Sequence, residues 1–164
     1  MDRQLYDLAV EVGAALKARG WMLATAESCT GGWIGQCVTM VPGSSEWFDR
    51  GFVTYTNLAK MEMLGVRKQT LQGHGAVSEQ TVREMAQGAL ERSRGRVAVA
   101  VSGVAGPTGG TADKPVGTVC VGWAVRDGAS RTVTLRLDGD RDAVRRQSVI
   151  AALAGVRELC SAAG

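Results

Sequence analysis

Residues 96–101 read Arg-Val-Ala-Val-Ala-Val, and this short run decides the class of fold. Its five successive apolar residues predict a strand that is buried on both faces. Such strands are typical of sheets that carry helices on both sides. The run leads into a glycine-rich stretch, residues 103–115, which predicts a loop at the end of the strand.

Apolar periodicity predicts helices and further strands on both sides of this run. Leu5, Leu8 and Val12 belong to a three- and four-residue repeat that predicts an amphipathic helix over residues 4–19, ended by Gly20. The other predicted helices are 33–41, 58–64 after a cap at Asn57, one from Ser78 to Gly95, and one that begins after a cap at Asp140; the other predicted strands are 21–26, 51–56, 116–126 and 130–137.

The order of these elements, α-β-α-β-α-α-β-β-β-α, mixes helical crossovers with one hairpin at residues 127–129. It predicts an α/β fold, a three-layer α/β/α sandwich around a mixed, mostly parallel sheet, in a single domain over residues 1–164. Ligands bind outside the carboxyl ends of parallel strands. Three segments therefore converge on one rim: the turn at Ser28, residues 54–57 running into Lys60, and the loop 102–110.

Composition excludes several classes of function. The 164 residues are 45% hydrophobic and 21% charged, enough for one core, and no apolar run approaches the roughly 20 residues of a membrane span. The 19 basic and 16 acidic residues are mostly scattered, so we expect no nucleic-acid partner, no membrane association and a cytoplasmic location. The four cysteines form no Cys-x-x-Cys pair, so we expect no metal site.

Ser28 lies where a strand turns into a helix, within the sequence Glu27-Ser28-Cys29-Thr30-Gly31-Gly32. A hydroxyl at this place can act as a nucleophile, since free backbone N–H groups and the helix dipole favour a developing oxyanion. The alternative is a serine that only caps the helix, with glycines that serve packing. The local motif leaves both interpretations open.

A nucleophilic serine needs a base. His74 is the one histidine, but it lies between Gly73 and Gly75 in a predicted loop. A lysine becomes a base when burial lowers its pKa, which makes Lys60 the better candidate, with Tyr55 as a hydroxyl relay. The alternatives are a solvated surface lysine and a half-buried strand tyrosine.

The glycine-rich loop and the final helix offer an anion site. Residues 103–110 can form a nest of backbone N–H groups, although no Lys-Ser or Lys-Thr follows to make a Walker A motif. Arg141, Arg145 and Arg146 begin the last helix and can bind a phosphate. A flexible loop and solvated arginines are the alternatives.

Several strings of sequence, taken together and in order over residues 5–155, resemble one family. They are residues 25–32 (TAESCTGG), 51–57 (GFVTYTN) with Lys60, 75–78 (GAVS), 102–107 (SGVAGP) and 114–119 (KPVGTV). On these strings the chain resembles the CinA C-terminal domain family, and within it the stand-alone bacterial nicotinamide-nucleotide amidohydrolases.

The resemblance implies hydrolysis of the carboxamide of nicotinamide mononucleotide to nicotinate mononucleotide and ammonia, in pyridine-nucleotide recycling. It implies Ser28 as the nucleophile of an acyl-enzyme, with Lys60 and Tyr55 as its activating partners and no cofactor. We expect the oxyanion at the N–H groups of Thr30 to Gly32 and the ribosyl phosphate at the glycine-rich loop. The expected substrate-binding residues are Cys29, Thr30, Gly31, Gly32, Ser102, Gly103, Ala105, Gly106 and Arg145.

Two alternative functions remain open at this point. One is a cysteine hydrolase that uses Cys29, although neighbouring residues on a turn point in different directions. The other is a non-catalytic nucleotide-binding or regulatory domain. We also expect a homo-oligomer, a dimer or larger.

Overall fold

The computed structural model describes residues 1–162 and is built around five strands. They are β1 (Leu23–Glu27), β2 (Phe48–Val53), β3 (Val97–Gly103), β4 (Thr118–Val125) and β5 (Ser130–Arg136). The helices are α1 (Arg3–Arg19), α2 (Trp33–Thr39), α3 (Asn57–Leu64), α4 (Lys68–His74), α5 (Glu79–Glu91) and α6 (Arg141–Ala162). None of the helices in residues 1–162 has both the length and the apolar character needed to cross a membrane.

The strands form one mixed sheet in the order β2-β1-β3-β4-β5. β1 pairs in parallel with both β2 and β3, whereas β4 is antiparallel to β3 and to β5. The parallel strands therefore end at the same edge of the sheet, at Glu27, Val53 and Gly103. This edge is the predicted rim.

Helices cover both faces of the sheet, which confirms the three-layer sandwich. The valines of β3 pack with α1, α2 and α6, while Ala98 and Ala100 pack with α5 and its neighbours. The small alanines let α5 approach the sheet closely. Gly122 of β4 also allows this close approach, because a Cβ there would lie 2.9 Å from the carbonyl oxygen of Val82 on α5.

The bounds of the parallel strands β1 and β2 differ from the sequence prediction. β2 spans Phe48–Val53, not 51–56, because the chain leaves the sheet after Thr54 and the Thr56 side chain caps α3 by accepting from the Ala59 amide at 3.0 Å. The cap is therefore Thr56 and not Asn57. β1 begins at Leu23, since Trp21 donates its amide to Leu16 in the left-handed turn that ends α1.

Helix α4 was absent from the predicted elements. Its N-terminus has no side-chain cap of its own. Instead, Glu84 of α5 accepts from the Arg67 amide at 2.9 Å and from the Thr70 hydroxyl at 2.5 Å. The helix is thus stabilised by a carboxylate from another element, which no local pattern reports.

The contact between α3 and α5 gives a test of the packing. A Cβ at Gly88 would overlap the carbonyl oxygen of Leu64, whereas one at Gly73 on α4 meets no atom within 4 Å. We expect Gly88→Ala to lower the free energy of unfolding by about 1–3 kcal/mol, measured by urea denaturation, because α3 must move away. The matched Gly73→Ala is expected to be neutral or to stabilise by up to about 1 kcal/mol. Equal effects of the two substitutions would contradict this packing.

Candidate active site

A cavity of about 250 Å³ lies at the carboxyl edge of the parallel strands. It brings together the three segments that the sequence predicted. Its lining residues are Ser28, Cys29, Tyr55, Asn57, Lys60, Ala76, Val77, Ser102, Gly103, Ala105 and Arg141. A second cavity of about 680 Å³ adjoins it, and both are lined by Ala105 and Arg141.

Ser28 and Lys60 are hydrogen-bonded inside the smaller cavity. Lys60 Nζ lies 2.9 Å from Ser28 Oγ and 3.1 Å from the carbonyl oxygen of Thr54. Lys60 is only 2% exposed and Ser28 is 7% exposed. Among residues 1–162 no carboxylate forms a salt bridge with Lys60. Burial lowers the pKa of this amine and favours its neutral form, which can accept the serine proton.

The sheet and the capped start of α3 set this geometry. The Ser28 amide donates to Val101 O at 3.0 Å, which continues the pairing of β1 with β3 and fixes the serine at the strand end. Lys60 lies one turn into α3, after the Thr56 cap. β1 and β2 are parallel neighbours and end side by side. Helix α3 follows β2 in the chain, so it begins directly beside Ser28.

Glu27, which the sequence analysis did not single out, organises the turn that follows Ser28. Its buried carboxylate accepts from the Thr30 hydroxyl at 2.6 Å and from the amides of Gly32, Ile34 and Gly35 at 3.2, 2.9 and 3.0 Å. Gly32, the N-cap residue of α2, provides no side-chain cap, so Glu27 caps the helix from the preceding strand. Capping patterns do not reveal it, because a capping carboxylate normally belongs to the first helical turn.

This arrangement changes the expected oxyanion site. The Gly31 amide donates to Ser28 O at 3.0 Å and the Gly32 amide donates to Glu27, so neither is free to bind an oxyanion. Within the part of the chain that the structure describes, the amides of Cys29 and Thr30 have no acceptor. The free donors therefore come directly after the serine, as at other strand-to-helix nucleophile turns.

Tyr55 lies at the mouth of the cavity and is 57% exposed. Its hydroxyl accepts from Arg141 Nη2 at 2.9 Å, and Arg141 Nη1 donates to Gly106 O at 2.8 Å. The arginine thus connects two rim segments across the two cavities. A relay role would require the Tyr55 hydroxyl to bond with Lys60 or Ser28, and in this structure its partner is Arg141.

The other two arginines have different partners. Arg145 donates to Cys29 O at 3.0 Å and to Thr30 O at 3.1 Å. Arg146 pairs with Asp2, with Nε and Oδ2 2.7 Å apart, and this hydrogen bond lowers the pKa of Asp2 to about 2. Arg141 is therefore the arginine that lines both cavities, while Arg145 lines the larger one.

The glycine-rich loop contributes its first residues to the cavity. Ser102, Gly103 and Ala105 line it, whereas Gly106 offers a carbonyl to Arg141. Gly103 must lack a side chain, because a Cβ would lie 2.7 Å from Val119 Cγ2 and 3.2 Å from the Cys29 sulfur. The loop therefore approaches the Ser28 turn closely.

Cys29, the alternative nucleophile, and His74, the alternative base, are less suited to these roles than Ser28 and Lys60. Burial raises the pKa of the Cys29 thiol to about 11, which keeps it protonated and weakly nucleophilic near neutral pH. His74 is the last residue of α4, not a loop residue, and it lines a separate cavity of about 550 Å³ that does not include Ser28. In residues 1–162 no three His, Cys, Asp or Glu side chains are grouped to hold a metal ion.

Comparisons with known proteins find a family model, similar sequences and solved structures of the same fold. The CinA C-terminal domain model matches residues 5–160. A protein of Enterobacter agglomerans named nicotinamide-nucleotide amidohydrolase PncC is 56% identical over 152 residues, which covers 93% of each chain. The protein of the same name from Escherichia coli K12 is 55% identical over 152 residues, 93% of this chain and 92% of that one. The crystal structure of the competence/damage inducible protein CihA from Agrobacterium tumefaciens superposes with a TM-score of 0.92 at 47% identity and covers 94% of each chain.

The role of Glu27 can be measured as stability. In Glu27→Gln one carboxylate oxygen becomes an NH₂ group, which faces N–H donors that then lose their acceptor. We expect the free energy of unfolding to fall by about 2–3 kcal/mol. The exposed Glu62 on α3 provides a matched control, and Glu62→Gln is expected to change stability by less than about 0.5 kcal/mol. If the two variants unfold at the same urea concentration, Glu27 does not organise the turn.

Proposed function

Because the chain belongs to the CinA C-terminal domain family, we propose that it hydrolyses the carboxamide of nicotinamide mononucleotide to nicotinate mononucleotide and ammonia. The relatives named nicotinamide-nucleotide amidohydrolase support this substrate. The observation that carries the proposal is the 2.9 Å contact between a buried lysine amine and a serine hydroxyl in a cavity. A buried lysine without a carboxylate partner costs stability, and it is explained by a need for the neutral amine.

In the first step neutral Lys60 accepts the proton of Ser28, and Ser28 Oγ attacks the amide carbon. The carbonyl oxygen becomes an oxyanion, which the amides of Cys29 and Thr30 stabilise. Lys60, now an ammonium group, gives its proton to the amide nitrogen. The C–N bond breaks, ammonia leaves, and the nicotinoyl group remains as an ester on Ser28.

In the second step water replaces ammonia. Lys60 is neutral again and accepts a proton from water, whose oxygen attacks the ester carbon at the same oxyanion site. The proton then returns to Ser28 Oγ as the ester breaks. The products are the nicotinate carboxylate and the free serine, so the site needs no further reactant.

The two cavities bind different parts of the substrate in this proposal. The 250 Å³ cavity holds the pyridine carboxamide, with Ser102, Gly103 and Ala105 along its wall. The ribosyl phosphate extends past Ala105 into the 680 Å³ cavity, where Arg141 supplies the cation. When Arg141 turns to the phosphate it releases the Tyr55 hydroxyl, which then becomes available as the relay between Ser28 and Lys60.

The biological setting follows from the same proposal. Returning the deamidated nucleotide to use is pyridine-nucleotide recycling, and we place it in the cytoplasm. We propose that residues 1–164 act as one domain and that the protein is a homo-oligomer.

The nucleophile is tested by two neighbouring substitutions. We expect Ser28→Ala to lower kcat for ammonia release from nicotinamide mononucleotide by at least about 10³-fold, because the substitution removes the hydroxyl that is hydrogen-bonded to Lys60 Nζ. Cys29→Ala is expected to stay within about threefold of the unchanged protein, since only its backbone amide is used. An active serine variant together with an inactive cysteine variant would reverse the assignment.

The base is tested by pH and by charge. Because only the neutral amine accepts a proton, kcat/KM should rise with pH through the lowered pKa of Lys60. Lys60→Arg keeps the charge but stays protonated, so we expect kcat to fall at least about 10²-fold, as in Lys60→Ala. Lys68→Arg on the exposed start of α4 is the control. Near-normal kcat in Lys60→Arg would show that the lysine only binds the phosphate.

A further inference from the structure

The sequence analysis placed Arg145 among the substrate-binding residues, but its guanidinium lies against the backbone that carries the nucleophile. We infer that Arg145 is a positioning residue, which holds the turn after Ser28 so that the Cys29 and Thr30 amides face the developing oxyanion. This inference rests on the proposed amidohydrolase function. It assigns the substrate phosphate to Arg141 and gives Arg145 a different task.

The contacts of Arg145 form a fork. Nε donates to Cys29 O at 3.0 Å, and Nη2 donates to Thr30 O at 3.1 Å. A rigid planar guanidinium thus fixes two successive carbonyls, which a lysine ammonium cannot do with the same geometry. The guanidinium also lies over the ring of Trp33, 5.4 Å from its centroid. Trp33 is the first residue of α2, so both ends of the turn are tied to one side chain.

The helix that carries Arg145 is firmly anchored. Its neighbour Val144 is fully buried, and so are Ser148 and Val149 one turn later. The Ser148 hydroxyl is held by Val144 O at 2.7 Å. The guanidinium therefore projects from a fixed helix and can position the turn that contains Cys29 and Thr30.

Peptide planarity transmits this position to one of the two oxyanion donors, the Thr30 amide. A trans peptide directs its C=O and the following N–H to opposite sides. When Cys29 O is held by Arg145, the Thr30 amide must therefore face away from the arginine. A charged donor on the carbonyl also polarises the same peptide group and strengthens its N–H as a donor.

Glu27 and Arg145 bind different backbone groups around the turn, Glu27 the amides and Arg145 the carbonyls. Glu27 takes the amides of Gly32, Ile34 and Gly35, and Arg145 takes the carbonyls of Cys29 and Thr30. The Cys29 and Thr30 amides are left free. Gly31, which follows Thr30, adopts φ +60°, and a Cβ there would lie 3.4 Å from Arg145 Nη2. A residue with a side chain would be strained at this φ.

The test compares three arginines of one helix on two substrates. Nicotinamide mononucleotide carries the phosphate, and nicotinamide riboside lacks it. We expect Arg145→Met to lower kcat about 10²-fold on both substrates while KM for the mononucleotide changes less than about threefold. Arg145→Lys is expected to restore little activity, and millimolar guanidinium ion is expected to restore part of the activity of Arg145→Met.

The other two arginines are the comparison and the control. Arg141→Met is expected to raise KM for the mononucleotide at least about tenfold and to weaken inhibition by inorganic phosphate, which Arg145→Met leaves unchanged. Arg146→Met removes the pair with Asp2 and the hydrogen bond to Gln4 Oε1, and it is expected to keep kcat on both substrates. A raised mononucleotide KM in Arg145→Met, with normal kcat and weaker phosphate inhibition, would make Arg145 the phosphate anchor and overturn the inference. Unchanged kinetics in Arg145→Met would also overturn it.

A structural measurement separates this inference from the proposed function. Amide hydrogen exchange of residues 28–33 should be faster in Arg145→Met than in the unchanged protein and in Arg146→Met, because the turn has lost its carbonyl partner. If the unchanged protein releases no ammonia from the mononucleotide, the proposed function fails, but this exchange result still reports whether Arg145 holds the turn. Equal exchange in all three proteins would refute the positioning role.

Discussion

A buried lysine amine held against a serine hydroxyl is the interaction on which the rest of this site depends. Lys60 has lost nearly all of its solvent, and its hydrogen-bond partners are Ser28 Oγ and Thr54 O. Neither partner carries a charge that would repay the burial of an ammonium ion. The pair is therefore stable with a neutral amine, which is the state that can remove a proton from serine. In the proposed mechanism, folding thus prepares the base before any substrate binds.

The parallel half of the sheet makes this contact possible. β1 ends at the turn that carries Ser28, β2 leads into the helix that carries Lys60, and β3 leads into the loop that forms the cavity wall. Because the three strands point the same way, residues far apart in sequence meet at one edge. The antiparallel strands β4 and β5 extend the sheet beyond β3. The edge at which the three parallel strands end stays open.

The sequence was informative wherever a contact depends on the order of elements. The alternation of strands and helices predicted that Ser28, Lys60 and the glycine-rich loop would converge, and they line one cavity. It was uninformative wherever a charged side chain on one element forms hydrogen bonds with the backbone of another element or turn. Glu84 stabilises the start of α4, Glu27 occupies the amides of α2, and Arg145 binds carbonyls more than a hundred residues away. The Gly31 and Gly32 amides, which the sequence analysis expected as oxyanion donors, already have acceptors in this structure, and local patterns do not show which amides are already used.

The most direct test of the account is mass spectrometry of the protein after mixing with nicotinamide mononucleotide and acid quenching within the first turnover. The account predicts an adduct on the peptide that contains Ser28, with the mass of the substrate less ammonia, and fragmentation that places it on the serine oxygen. Its amount should rise before product appears and fall as product accumulates. An adduct on Cys29, or ammonia release through the first turnover with the Ser28 peptide unmodified at every time, would contradict the serine mechanism.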